Sequence, residues 1–119
     1  MLNAAPDEET KSKIESNSNN FYYSAPTVFI LSVDKDFKWN KLDAGMAAEN
    51  IALAAQSMGL GSLIIGIIDD AMRGAKKDYF SKALHFSENY EFAIAVAAGH
   101  KATEKEPHEI NFDKSVNFI

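Results

Sequence analysis

The chain has 119 residues, with 12 Lys and Arg against 17 Asp and Glu, a net charge of -5, and no cysteine. That length holds one core and predicts one folded domain. The acidic balance, with Arg73 the only arginine, excludes the basic face of a nucleic-acid footprint; the lack of thiols excludes disulfides, thiolate nucleophiles and Cys-ligated zinc.

The amino terminus turns acidic at Asp7-Glu8-Glu9 before any apolar segment develops, which predicts no secretory signal and a cytoplasmic protein. Residues 7–20 are polar and end in Ser16-Asn17-Ser18-Asn19-Asn20, with too few apolar side chains to offset their ordering entropy. The reading is therefore residues 1–20 as a polar linker or frayed helix, and 21–119 as the domain. Phe21-Tyr22-Tyr23-Ser24-Ala25-Pro26 leads into Thr27 to Val33, a β-branched and aromatic run apolar on both faces, which predicts a central, covered strand.

A charged loop from Asp34 to Lys38 precedes Asn40, a candidate N-cap, with Asp43 placed for the positive end of a helix. The helix runs to Met58. It is alanine-rich and offers only Glu49, Asn50, Gln56 and Ser57 as a wet face, so it predicts burial between two layers or two subunits. Gly59 stands where a left-handed C′ residue is wanted, and Leu60 can fold back on the last turn. A strand follows from Leu63 to Ile68, then a helical stretch capped by Asp69-Asp70 that runs irregularly past Gly74 to Phe86. Glu91 to Ala98 alternates Phe92, Ile94 and Val96 with small alanines, a strand whose small face suits a closely packed helix. The tail from Lys101 to His108 is charged and loop-like. Ser115 to Ile119 alternates like a short edge strand with no local partner.

Candidate chemistry is sparse. Gly59-Leu60-Gly61 comes in the order helix, glycines, strand, the reverse of a phosphate loop. His85, His100 and His108 have no metal-ligand spacing, and no serine lies in a Gly-x-Ser-x-Gly turn. Glu49, a carboxylate on an otherwise apolar helix, is either an acid-base group or a polar spot facing solvent or a partner. No dedicated catalytic residue is identified. A cofactor that carries its own reactive centre relaxes the need for one, since the protein then supplies backbone donors, an apolar wall and positive charge.

Three stretches occur in the order found in the carboxyl-terminal half of one family: Tyr23-Ser24-Ala25-Pro26 before a strand, the helix with Asp43, Gly45, Ala47, Asn50, Leu53, Ala54 and Ala55 closing on Gly59-Leu60-Gly61-Ser62, and Phe92 to Gly99-His100. In these the chain resembles the nitroreductase-like FMN-dependent oxidoreductases. The resemblance implies an α+β sandwich with a mainly antiparallel sheet flanked by helices, here truncated to the family's carboxyl-terminal portion. It further implies an interlocked homodimer with one FMN at each subunit interface. Hydride would move from NADH or NADPH through FMN to nitroaromatics, quinones or similar acceptors. Apart from the resemblance, the acidic balance predicts no nucleic-acid partner, and the longest apolar run, Leu60 to Ile68, is too short and too glycine-punctuated to predict a membrane span.

The resemblance places main-chain groups of Ile65, Gly66 and Ile67 beside the flavin ring, with Gly66 where the backbone comes close to a ligand or a neighbouring helix. Many relatives have glycine at the position of Ile67. Relatives hold the FMN phosphate with an Arg-x-Ser-x-Arg stretch, followed by a Pro-Ser/Thr-x-x-Asn-x-Gln segment on the flavin, and this sequence contains neither. Lys105 is the nearest equivalent of a carboxyl-terminal phosphate cation, with Lys101 as substitute, unless Lys101 to Glu106 is only a solvated charged loop. The alternative is a non-catalytic dimeric remnant or interaction protein that has lost the cofactor.

Overall fold

The computed structural model describes residues 24–119, so the linker reading of residues 1–20 and the Phe21-Tyr22-Tyr23 lead fall outside the described residues. Strand β1 spans Thr27–Asp34, helix α1 Asn40–Ser57, β2 Gly61–Ile65, α2 Asp69–Arg73, α3 Lys77–Ala83, β3 Tyr90–Gly99 and α4 Phe112–Ser115. The three strands form one sheet in the order β1-β3-β2, both pairings antiparallel. With helices on both faces this is an α+β sandwich.

The central strand is therefore β3, not β1 as the apolar run had suggested. Strand order is set by long-range pairing that a local pattern does not encode. β3 buries Phe92, Ala95, Val96, Ala97 and Ala98, whereas β1 lies at an edge of the described sheet and leaves Phe29 41% exposed. Pairing runs from Thr27 opposite Ala98 to Asp34 opposite Tyr90, with a shift between Leu31 and Ser32 that leaves Ala93 as the extra residue. Such a bulge changes which β3 side chains share a face on either side of it.

Side-chain alternation sorts the core into two layers. On one face, α1 lays Ala44, Ala48 and Ala55 on the sheet at helical spacing, and a cavity is lined jointly by Phe29, Ile51, Ala55 and Ala98. On the other, Ile65, Phe92, Ala95 and Ala97 form a cluster joined by Val28, Ile30, Ile68, Met72 and Phe86. The small residues facing α1's side of the sheet are thus mostly the helix's own. Ala95 and Ala97 of β3 belong to the opposite layer, where Met72 of α2 packs against their cluster.

The helix ends differ from each other in legibility. Gly59 has φ +72, its N–H donates to the Gln56 carbonyl at 3.0 Å, and the Leu60 N–H donates to the Ala55 carbonyl at 2.9 Å. These are the two bonds of a Schellman motif, as the sequence predicts. At the amino end Trp39 is the N-cap residue and makes no side-chain cap. Asn40 is already helical and its Nδ2 donates to the Asp34 carbonyl at 2.9 Å, fastening α1 to the end of β1 instead of capping it.

β2 stops at Ile65, three residues before the expected end. The Asp69 N–H donates to the Gly66 carbonyl at 2.9 Å and closes a tight turn over Gly66–Asp69. The expected helix from Asp69 to Phe86 is two helices separated at Gly74, where a Cβ would come 2.6 Å from the Asp70 carbonyl oxygen. The chain can close that tightly only without a side chain. The tail is also different. Asn111 caps α4, its Oδ1 accepting from the Lys114 N–H at 3.1 Å, and residues 116–119 form no strand. Alternation is no substitute for a ladder partner, and Phe118 and Ile119 are left exposed.

Candidate functional site

The end of the sheet where β2 begins and β3 finishes is built around a pair of glycines. Gly61 lies opposite Gly99. A Cβ on Gly61 would stand 3.0 Å from Cγ of Lys101, so its absence lets the Lys101 stem lie across the start of β2. A concavity of about 530 Å³ opens there, its apolar floor supplied by Leu63 and Ala97 and its rim by Lys101, Thr103 and Lys105. Lys101 is partly engaged, with Nζ 3.9 Å from Glu104 Oε1. Lys105 is exposed and makes no ion pair among the described residues. The strand pairing thus brings a free cation beside an apolar sheet surface, a combination suited to a ligand with one anionic and one apolar part.

Ile65, Gly66 and Ile67 lie at the other end of β2. A five-residue strand separates its ends by about 13 Å, so they share no cavity with Lys105. Ile65 packs its side chain into the core cluster and can offer a ligand only its main chain. Gly66 is exposed and a Cβ there would meet nothing within 4 Å among the described residues, so no described helix crowds it. Of the two neighbours expected at this glycine, a ligand or a helix, the described residues supply no helix. Ile67 is exposed and makes no hydrogen bond among the described residues. β2 is an edge strand of the described sheet, which leaves its outer row of backbone groups unpaired by any described strand.

The other candidates separate clearly. Glu49 is exposed on the outer side of α1, away from the alanine stripe. Among the described residues no group of three His, Cys, Asp or Glu could hold a metal ion, and no helix is long and apolar enough to cross a membrane.

Sequence reasoning passed over Arg73. Its Nε donates to Asp69 Oδ1, its Nη1 lies 3.2 Å from Glu91 Oε1, and its Nη2 donates to the Phe92 carbonyl at 2.7 Å. The hydrogen bond to Asp69 raises the Arg73 pKa, desolvation opposes this, and the Glu91 carboxylate adds to the rise. The i,i+4 relation of Asp69 to Arg73 is visible in the sequence; the contact with β3 is not.

The sheet order β1-β3-β2 with helices on both faces and a concavity beside β2 places the chain in the α+β class. The model of the nitroreductase family matches residues 1–100, and the chain belongs to that family. The match begins within the polar segment and stops short of Lys105. Three solved structures illustrate the likeness. A nitroreductase with bound FMN from Desulfitobacterium hafniense is 30% identical, with a TM-score of 0.81 over 98% of this chain and 62% of that one. A nitroreductase with bound FMN from Bacteroides fragilis is 27% identical, with a TM-score of 0.74 over 98% of this chain and 62% of that one. An FMN-dependent nitroreductase from Clostridium difficile is 26% identical, with a TM-score of 0.61 over 79% of this chain and 59% of that one. The chain therefore spans about 62% of the length of the first two. None of the curated proteins compared matches it.

Proposed function

We propose that the chain is the carboxyl-terminal part of an FMN-dependent oxidoreductase of nitroreductase type. In this reading it moves hydride from NADH or NADPH to a nitroaromatic, quinone or similar acceptor, as a cytoplasmic homodimer with residues 21–119 as its domain. The observation that carries it is the concavity beside the start of β2, rimmed by an unpaired Lys105, with the exposed Gly66-Ile67 turn at the far end of that strand, on a fold shared with two FMN-bound structures. Bound FMN would supply the two-electron centre that no side chain here provides. Lys105, aided by Lys101, would hold the phosphate, and main-chain groups of Ile65, Gly66 and Ile67 would face the ring edge. Leu63 and Ala97 would wall off water. The absorbance of the purified protein after desalting tests this: a retained flavin band supports it, and a colourless protein unchanged by added FMN overturns it.

A second reading has its own support. Arg73, the chain's only arginine, is committed to Asp69 and Glu91, so no arginine fork is free to grip a phosphate. That favours a dimeric remnant without cofactor, and the same spectrum distinguishes the two.

Two expected results separate the two ends of β2. Lys105→Ala weakens FMN binding about tenfold, the loss of one charge-assisted contact of roughly 1–1.5 kcal/mol, and makes the remaining binding less salt-sensitive. Riboflavin, which has no phosphate, binds the variant and the unaltered protein alike. Equal FMN affinity in a side-by-side titration removes Lys105 from the phosphate site. Gly66→Val changes folding stability by only about 0.5 kcal/mol, because the added side chain enters open space. If the turn faces the ring, the variant nevertheless loses FMN and riboflavin together. Unaltered melting with unaltered flavin content would show that the glycine is incidental.

A further inference from the structure

The turn between β2 and α2 is held from one direction only by the sheet, through Ile65 opposite Ala95. Beyond it the chain enters α2, five residues long and too short to be stable by its own hydrogen bonds. What fixes α2 is packing by Ile68 and Met72 on the core cluster, together with Arg73. The guanidinium joins three groups on two elements. It donates to the carboxylate of Asp69, the residue whose N–H closes the turn onto Gly66, and it reaches Glu91 and the Phe92 carbonyl on the central strand. Phe92 is 1% exposed and belongs to the most deeply packed part of the sheet. The turn is thereby tied to a rigid element through a planar, multiply bonded group, a role lysine fills poorly.

We infer that Arg73 is a positioning residue: by bridging Asp69 to Glu91 and the Phe92 carbonyl, it holds the Gly66–Asp69 turn at a fixed height above the sheet and so presents the Gly66 and Ile67 main chain to a flavin ring. This rests on the proposed reading of that turn as the ring side of the site. Arg73 itself touches no ligand. Its three contacts are used within the protein, and its effect is transmitted through Asp69.

The test compares the unaltered protein with Arg73→Met, Arg73→Lys and Ala48→Gly, the last weakening α1 at a buried position on the opposite face of the sheet. Hydrogen exchange is read on each protein without ligand, and binding of FMN and of riboflavin is titrated, with visible circular dichroism of the bound flavin. Arg73→Met should speed exchange at the Asp69 and Met72 amides, leave the β1-β3 ladder protected, and weaken FMN and riboflavin equally, about tenfold. The dichroism of the bound flavin should change, Arg73→Lys should recover part of each effect, and Ala48→Gly should alter stability without altering flavin affinity. Unchanged exchange at the turn overturns the inference. So does a loosened turn with unchanged flavin affinity and dichroism. If the unaltered protein binds neither flavin while Arg73→Met still loosens the turn, the clamp is upheld and the flavin reading is what fails.

Discussion

Phe92→Ala should cost about 3–5 kcal/mol, the range for emptying a buried aromatic site whose neighbours cannot collapse into it. Phe92 is 1% exposed and sits on the central strand just past the bulge, where it contacts the layer formed by Ile65, Ala95 and Ala97. The other cluster members on β3, Ala95 and Ala97, have no spare side-chain length to reach into the gap. A loss of that size is a large share of the roughly 5–15 kcal/mol that holds a domain of this length together. The effect should extend to Arg73, whose Nη2 uses the Phe92 carbonyl, so α2 should loosen as well. Urea denaturation gives the measure. A fall below about 1 kcal/mol would mean that the two-layer core described here is not what holds the sheet. Phe29→Ala, at a residue 41% exposed on the edge strand, should cost much less and serves as the internal comparison.

Features decided within a few residues were legible in the sequence. Gly59 and Leu60 end α1 by the two Schellman bonds because both donors and both acceptors lie within six consecutive residues. β3 was visible from its alternation and proved one residue longer at each end. The order of the strands was not visible, since the apolar character of Thr27 to Val33 says that the strand is covered but not by what. β2 was overrun because the apolar run continues through Ile67 and Ile68 while the backbone has already turned at Gly66. The candidate site shows the same division. Lys105 could be singled out as a cation, but its place beside Gly61 and Leu63 follows from the pairing of Gly61 with Gly99, a relation between residues far apart in the chain. Arg73 was counted only as evidence against nucleic acid, and its grip on β3 spans 19 positions.

Leu53→Glu should convert a dimer into a monomer at micromolar concentration. The sheet-facing side of α1 is occupied by Ala44, Ala48 and Ala55, and the opposite side carries Leu42, Met46 and Leu53, which are 59%, 61% and 58% exposed. These three fall at i, i+4 and i+11, a single stripe along the outer face of the helix, interrupted only by Glu49 one turn before Leu53. In the proposed homodimer a second copy of the chain would cover such a stripe across a two-fold axis, because each helix would then present the same residues to its mate. Glutamate at position 53 would bring unpaired carboxylates into that contact, close to Glu49 of both copies. Burying them costs about 3 kcal/mol or more, which weakens association by at least about a hundredfold. Folding of the single chain should be nearly unaffected, since Leu53 makes no part of either core layer. Sedimentation velocity distinguishes the species, and Lys77→Glu on α3, away from the stripe, should leave the dimer intact. A monomer in the unaltered protein, or a dimer in Leu53→Glu, would exclude α1 as the contact. If the partner completes the flavin site, the monomeric variant should also lose FMN while keeping its melting temperature, a pairing of results that simple unfolding cannot produce.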